Sequence, residues 1–248
     1  MSSPINVYLY PTECGRKLVY FSNPRNFAEF DINGKALKDD KIIQGWSSKG
    51  RRRILYYTTI YLGSPPREFH VQIDTGSDTS WVTCVSCTGC PQTSNLEIKL
   101  NYFDPVSSST YSIIPCSHHK CEMCSTNNRC SFNNRYGDGG GASGYIVSDI
   151  MYVSNISMGP MAPNFSVSLV FGCSNLRTGR LALNDRALDG ILGFGKQDTS
   201  LISQLYSQGK APRVFSHCLK GDISGGGILV LGEVVEPNMT YSPLISKQ

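Results

Sequence analysis

Asp74-Thr75-Gly76-Ser77 is the stretch whose residue types and spacing are best suited to acid–base chemistry. Apolar residues at positions 69, 71 and 73 alternate with polar ones, which is the period-2 pattern of a strand with one buried face. This strand delivers the Asp74 carboxylate to a tight glycine-containing loop, where N–H groups and hydroxyls can donate to it. A carboxylate held in this way on a strand end is a candidate catalytic group. An Asx-type turn between two strands is the structural alternative, because short motifs recur by chance.

β-Strands are the elements that must position this loop. Residues 57–62 are β-branched and aromatic, and Gly63-Ser64-Pro65-Pro66 turns the chain into the strand before Asp74, so we predict a hairpin. Ser80–Thr83 is predicted to be the strand that leaves the loop. Further strands are predicted at 166–172 and at 225–232, and residues 189–195 are predicted to be an apolar core segment whose glycines allow close backbone approach.

A second, longer hairpin is predicted over residues 130–149. One strand covers 130–136, the glycine-rich tip covers 137–144, and the returning strand covers 145–149. We expect the tip to be able to move, because glycine-rich loop tips are conformationally free.

One helix is predicted, over Thr199–Tyr206. Asp198 or Thr199 is expected to cap its start, and Gly209 is expected to end it. The apolar residues at 201, 202 and 205 share one face of this helix.

Composition limits the class of protein. The 248 residues are 40% hydrophobic and 17% charged, with a net charge of +4, which is typical of a globular chain and gives little support to nucleic-acid binding. No apolar run approaches the roughly 20 residues of a membrane span. Residues 1–53 contain turn signals and no chemistry, and we interpret them as a leader or appendage in which no signal peptide is visible.

Cysteines and glycosylation sequons indicate an oxidising compartment. Seven of the ten cysteines lie between residues 84 and 130. Sequons begin at Asn155, Asn164 and Asn238, so we expect a glycoprotein that passes through the secretory system.

Taken in order, the motifs from about residue 54 onward resemble the N-terminal lobe of a pepsin-like aspartic protease, most closely the plant nepenthesin-like branch. The motifs that carry this resemblance are Tyr56-Tyr57 with Leu62–Pro66, Asp74–Ser77 with Trp81-Val82, Phe103-Asp104-Pro105 with Ser107–Tyr111, Tyr136–Gly139, Asp189–Gly195 and Phe215–Leu219. The resemblance implies an all-β fold, a single pepsin-like lobe over 54–248 with one short helix.

The family also implies roles for individual residues. Asp74 would be one of two catalytic aspartates, supported by Thr75, the Gly76 amide and the Ser77 hydroxyl. The hairpin over 130–149 would be the flap that closes over a bound peptide, with Tyr136, Gly137 and Asp138 as substrate-binding residues at its tip. Trp81 would support the flap tyrosine and the pocket wall. The alternatives are a strand-end aromatic at 136 and a core residue at 81.

Aspartic protease chemistry needs two carboxylates that share one proton and hold a water between them. One carboxylate takes a proton from the attacking water while the other donates to the peptide carbonyl, and the pair titrates as a unit that favours acidic pH. No second Asp-Thr-Gly or Asp-Ser-Gly follows Asp74. We therefore expect half an active site, completed by a missing C-terminal lobe, in a chain that has little or no peptidase activity alone.

Two other interpretations stay open. In the first, two copies pair as retroviral proteases do, although the large inserts argue against it. In the second, the chain is a non-catalytic binding module, since plant xylanase inhibitors share this cysteine-rich lobe. The intact Asp-Thr-Gly-Ser and the flap tyrosine favour protease ancestry.

The resemblance implies no cofactor or metal, and a secreted, endomembrane or vacuolar location. Local disulfides within 84–130, with Cys173 reaching into that insert, are expected, although their connectivity cannot be read from the sequence. Cys14 is isolated in the sequence, and we expect the partner of Cys218 in the missing half. The alternative for the insert is zinc bound by its cysteine pairs with His118 and His119, but the spacing does not match a zinc ribbon. An iron–sulfur site lacks a fourth cysteine after Cys90.

Overall fold

A computed structural model describes residues 6–10, 16–21, 35–46, 52–154, 163–219, 226–232 and 240–243. The sequons at Asn155 and Asn238, the side chain of Asn164, Cys14 and the side chain of Cys218 lie outside the described part of the molecule.

Strands dominate the described residues, as predicted for an all-β protein. They are β1 (Asn6–Tyr10), β2 (Arg16–Phe21), β3 (Lys35–Trp46), β4 (Arg52–Leu62), β5 (Arg67–Asp74), β6 (Trp81–Thr88), β7 (Ser112–Ile113), β8 (Met123–Cys124), β9 (Cys130–Arg135), β10 (Gly141–Ser154), β11 (Pro163–Thr178), β12 (Gly190–Gly193), β13 (Val214–Leu219), β14 (Gly226–Leu231) and β15 (Thr240–Pro243). Short 3₁₀ turns cover Pro105–Ser107, Gly179–Ala182 and Asn184–Arg186. The α-helix α1 covers Leu201–Ser207.

The strands join in the order β15-β1-β2-β13-β14-β3-β4-β5-β12-β6-β11-β10-β9-β8, with β7 on β10. β10 also pairs with β4, so the strands from β4 to β10 along this path curl back on themselves. The main hydrophobic core lies inside that curl, because Phe69, Val71 and Phe171 are at most 1% exposed and belong to one buried cluster.

The predicted hairpin before Asp74 is confirmed. β4 and β5 pair antiparallel from Tyr57↔Gln72 to Leu62↔Arg67. The alternation along β5 buries Phe69 and Val71, while residue 73 is only half-buried at the edge of the core.

The hairpin over 130–149 is also confirmed, but its tip is shorter than predicted. β9 pairs with β10 from Gly141↔Arg135 onward, and β10 pairs with β11 from Gly141↔Thr178 onward. Residues 141–144 therefore belong to the ladder, and the tip is the turn in which the Tyr136 amide donates to the Gly140 carbonyl at 2.9 Å. A glycine-rich segment can be strand when both neighbouring strands supply hydrogen-bond partners.

The predicted helix is present, but its predicted cap is wrong. Ser200, not Asp198 or Thr199, is the N-cap, and its side chain accepts from the Ser203 amide. Gly209 terminates the helix as predicted. It follows the C-cap residue Gln208, and its φ of +64° is the left-handed conformation that glycine adopts without strain. The buried face includes Gln204, whose amide group bonds to both backbone groups of Val170 at 2.8 Å. The sequence pattern did not predict this polar contact with β11.

Disulfides join the cysteine-rich insert to itself and to β11, as expected. The bonded pairs are Cys84–Cys173, Cys87–Cys90, Cys116–Cys124 and Cys121–Cys130. Every cysteine that the zinc alternative required is in one of these bonds, so none of them is a free thiolate ligand.

In the part of the chain that the structure describes, no helix has the length and apolar character needed to cross a membrane.

Candidate active site

The Asp74 carboxylate lies at the C-terminal end of β5 and is half-buried. The Gly76 amide donates to Asp74 Oδ1 at 3.0 Å, and the Ser77 hydroxyl donates to Asp74 Oδ2 at 2.6 Å. These are the two hydrogen bonds that the sequence predicted. Thr75 lies between them with its side chain exposed. Each carboxylate oxygen thus has one neutral donor and keeps further lone-pair capacity for a ligand or a proton.

The loop after Asp74 is held by backbone hydrogen bonds from β12 and the residues that follow it. β12 runs parallel to β5 with Gly193 opposite Asp74, and antiparallel to β6. The Phe194 amide donates to the Asp74 carbonyl and the Gly195 amide to the Ser77 carbonyl, both at 2.9 Å. A Cβ atom at Gly193 would lie 2.4 Å from the backbone carbonyl oxygen of Asp78, so this close approach requires glycine.

Trp81 and Tyr136 meet across the site. The Trp81 indole N–H donates to the Tyr136 hydroxyl at 2.7 Å. Trp81 begins β6 and is 1% exposed, whereas Tyr136 is half-buried at the tip of the flap hairpin. The contact that the family resemblance implied between these two side chains is therefore present.

Tyr136 is also linked to the carboxylate. Burial raises the pKa of Tyr136, while hydrogen bonds with Trp81, Asn134 and Ser77 lower it, and the negative charge of Asp74 raises it. The phenol therefore stays neutral at acidic and neutral pH. The phenol and the Asp74 carboxylate are therefore close enough to interact electrostatically.

Gly137 and Asp138 form the exposed end of the flap. Asp138 Oδ1 accepts from the Gly140 amide at 3.0 Å, and Asp138 Oδ2 lies 3.9 Å from Arg186 Nη2. The tip is therefore tied to the 3₁₀ segment that follows β11. This tie was not predicted, because it joins residues distant in the sequence.

A buried polar layer behind Trp81 was also missed by the sequence reasoning. Arg177, on β11, is 4% exposed, and its guanidinium carbon lies 5.2 Å from the centre of the Trp81 ring. Arg177 Nη1 donates to the Leu188 carbonyl at 2.9 Å and to Thr83 Oγ1 at 3.2 Å. The sequence feature that could have indicated a buried cation is an arginine on β11, a strand whose preceding core positions are apolar.

Asp189 is the buried carboxylate of this layer. It is 1% exposed and accepts from the backbone amides of His70 and Asn101, each at 2.7 Å. Burial lowers the pKa of Arg177 to about 10, and the charge of Asp189 opposes that shift. Arg177 is therefore a cation at physiological and acidic pH.

Comparison with known protein families gives a match over residues 56–233 to the family described as xylanase inhibitor N-terminal. The match covers well over half of the chain and includes every predicted site residue.

Curated proteins similar to this chain are aspartic proteinases of plants. Aspartic proteinase 36 of Arabidopsis thaliana is 40% identical over 200 residues, covering 78% of this chain and 41% of that protein. Aspartic proteinase 39 of the same organism is 38% identical over 200 residues, covering 78% of this chain and 42% of that protein. Aspartic proteinase nepenthesin-1 of Nepenthes gracilis is 32% identical over 154 residues, covering 60% of this chain and 32% of that protein. The chain thus spans about two fifths of the length of the first two relatives.

Proposed function

This chain belongs to the family described as xylanase inhibitor N-terminal, the N-terminal domain of plant pepsin-like aspartic proteases, and we propose that it supplies one half of an aspartic endopeptidase active site. The observation that carries this proposal is the Asp74 carboxylate, which is oriented by the Gly76 amide and the Ser77 hydroxyl. The reaction is hydrolysis of a peptide bond by a water that the aspartates activate.

Asp74 is the catalytic residue in this proposal. Its carboxylate holds one side of the attacking water and shares one proton with the second carboxylate; one of the pair takes a proton from the water while the other gives its proton to the peptide carbonyl. Ser77 and Gly76 fix the direction of the carboxylate, and Thr75 completes the loop. The chemistry on this side of the site needs no cofactor or metal.

Tyr136, Gly137 and Asp138 bind the substrate in this proposal, and Trp81 supports the flap tyrosine and the pocket wall from behind. The hydrogen bond from Trp81 to Tyr136 fixes the position of the phenol at the base of the flap tip. A peptide bound beneath the flap would be shielded from bulk water, which strengthens the electrostatic interactions in the site.

A second carboxylate must come from a segment outside these residues. Neither Asp-Thr-Gly nor Asp-Ser-Gly follows Asp74 in this sequence. We infer that a C-terminal lobe provides it and that the chain without such a lobe has little or no peptidase activity. The disulfides support a secreted, endomembrane or vacuolar location for the protein.

A non-catalytic, inhibitor-like binding role is the second candidate, and the description of the matching family favours it. A pure binding module has no requirement for a carboxylate with dedicated donors. Loss of binding on substitution of surface residues, with no effect of Asp74→Asn on any activity, would favour this second candidate.

The test is to supply the missing half. The purified chain is mixed with, or fused to, the C-terminal part of Aspartic proteinase 36 that it does not match, and peptide cleavage is measured at acidic pH. We expect cleavage that a pepstatin-type inhibitor blocks and that Asp74→Asn lowers by about 10²–10⁴-fold.

Asp198→Asn is the matched control, because Asp198 is an exposed carboxylate. It should leave the cleavage rate unchanged. Cleavage that survives Asp74→Asn in a folded sample would contradict the proposal.

A further inference from the structure

We propose that Arg177 is a positioning residue of the site: its guanidinium holds the Trp81 ring in the orientation from which the indole N–H donates to Tyr136. The inference concerns how the flap tyrosine is oriented and rests on the proposed function for its consequence in catalysis. Arg177 itself touches neither a substrate nor the reacting atoms.

The geometry supports an interaction through the face of the indole. The guanidinium carbon of Arg177 lies 5.2 Å from the centre of the Trp81 ring, within the range of a cation–π contact. Such a contact is stronger when the cation is desolvated, and Arg177 is only 4% exposed.

The guanidinium is itself fixed from two sides. Nη1 donates to the Leu188 carbonyl, next to β12, and to the Thr83 hydroxyl on β6. The same hydroxyl donates to the backbone carbonyl of Asp189 at 2.8 Å, so Thr83 is itself held in place where it accepts from the guanidinium. A charge this deeply buried is costly unless it is paired or hydrogen-bonded, which argues that its position is closely specified.

A chain of contacts connects this cation to the flap tyrosine. Arg177 packs on Trp81, and Trp81 donates to Tyr136. Trp81 has its ring face on the cation and its N–H on the phenol, so a rotation of the indole would break the hydrogen bond to the flap. Removal of the guanidinium is therefore expected to loosen Tyr136 without changing any residue of the cleft.

The experiment follows the indole N–H signal of Trp81 by two-dimensional ¹H–¹⁵N NMR of the full chain. The sequence has two tryptophans, and Trp46→Phe assigns the signal of Trp81. Tyr136→Phe gives the reference position of the signal without the hydrogen bond. We expect Arg177→Gln to move the signal toward that reference position and Arg177→Lys to move it less.

Arg180→Gln is the matched control, because Arg180 is an exposed arginine on the same segment. The Trp81 indole signal of Arg180→Gln should coincide with that of the unmodified chain. Where Arg177→Gln does not fold, Thr83→Val tests the same inference, since it removes one acceptor of the guanidinium and should shift the signal in the same direction.

An unchanged Trp81 signal in folded Arg177→Gln or Thr83→Val would overturn the inference and assign Arg177 a purely structural role. This readout needs no active enzyme. A chain that lacks peptidase activity with an added C-terminal lobe would contradict the proposed function and leave the positioning of Trp81 intact.

Discussion

The Asp74 carboxylate is oriented by donors that lie two and three residues further along the chain. Both the Gly76 amide and the Ser77 hydroxyl are neutral, so they direct the carboxylate without pairing its charge. The opposing strand β12 holds the loop through its backbone at Phe194 and Gly195. The carboxylate is thus fixed in direction by neutral donors alone among these contacts.

Among the residues outside the site, His217 makes stability depend on pH. It is 6% exposed, and burial lowers its pKa to about 4. An unfolded histidine takes up a proton near pH 6.5, so the unfolded state binds more protons between these two values. Stability therefore falls as the pH is lowered from about 6.5 to about 4, and His217 accounts for about 3 kcal/mol of that fall.

Urea unfolding at pH 7 and pH 4 checks this prediction. His217→Gln should reduce the difference between the two free energies of unfolding, while His119→Gln, at an exposed histidine, should leave it unchanged. An equal difference in the unmodified chain and in His217→Gln would show that the buried imidazole does not control acid stability.

Short-range features of the site could be predicted from the sequence, and long-range ones could not. The two hydrogen bonds to Asp74 follow from a four-residue motif. The contact between Trp81 and Tyr136 was expected only from the resemblance to a family, because it joins two separate hairpins. Arg177 was not predicted at all, since nothing local in the sequence shows which ring a buried cation will face.

At the scale of elements, the start of helix α1 depends on Ser200. Its hydroxyl accepts from the Ser203 amide, which otherwise has no partner in the first turn. Ser200→Ala is expected to lower the free energy of unfolding by about 1 kcal/mol, as measured by urea denaturation.

Thr199 provides the matched comparison. Its hydroxyl is buried without a hydrogen-bond partner, so Thr199→Ala should change stability by less than about 0.5 kcal/mol. A larger loss in Thr199→Ala than in Ser200→Ala would identify residue 199 as the cap that the sequence predicted.

The disulfides are expected to contribute unequally. Cys84–Cys173 closes a loop with a sequence separation of 89, whereas Cys87–Cys90 closes one with a separation of 3. Because a longer loop restricts the unfolded chain more, replacing both cysteines of the first pair by alanine should cost about 4–5 kcal/mol, against about 2 kcal/mol for the second pair.

Free energies of unfolding for the two double variants test this order. The buried positions of Cys84 and Cys173 strengthen the expectation, because their removal also leaves space in the core. An equal loss in both double variants would show that loop closure does not decide how much each bond stabilises the fold.

Individual strands were easier to predict from the sequence than their arrangement. The alternation along β5 indicates a strand by itself, and the apolar run of β12 indicates a core segment. Their parallel pairing, with β12 inserted between β5 and β6, joins segments that are far apart in the chain. The predicted tip of the flap was too long for the same reason. The glycines at 141 and 144 belong to a strand only because β9 and β11 lie on either side of them.

At the scale of the whole molecule, the family match and the curled sheet cover much the same part of the chain. The match spans residues 56–233, and the strands that contribute to the main core run from β4 to β14. β3 pairs with β4 from Lys41↔Tyr57 to Trp46↔Arg52, so part of the segment before residue 54 adds a strand to the sheet. The division of the chain into an appendage over 1–53 and a lobe over 54–248 stays a prediction.

The central claim is that this chain holds one catalytic aspartate and needs another polypeptide segment for the second. Peptide cleavage at acidic pH by the purified, disulfide-bonded chain alone, over a wide range of protein concentration, tests that claim most directly. We predict no cleavage above that of Asp74→Asn at any concentration. Cleavage that Asp74→Asn abolishes would contradict the account, and a rate that rises with the square of the concentration would show that two copies combine their aspartates.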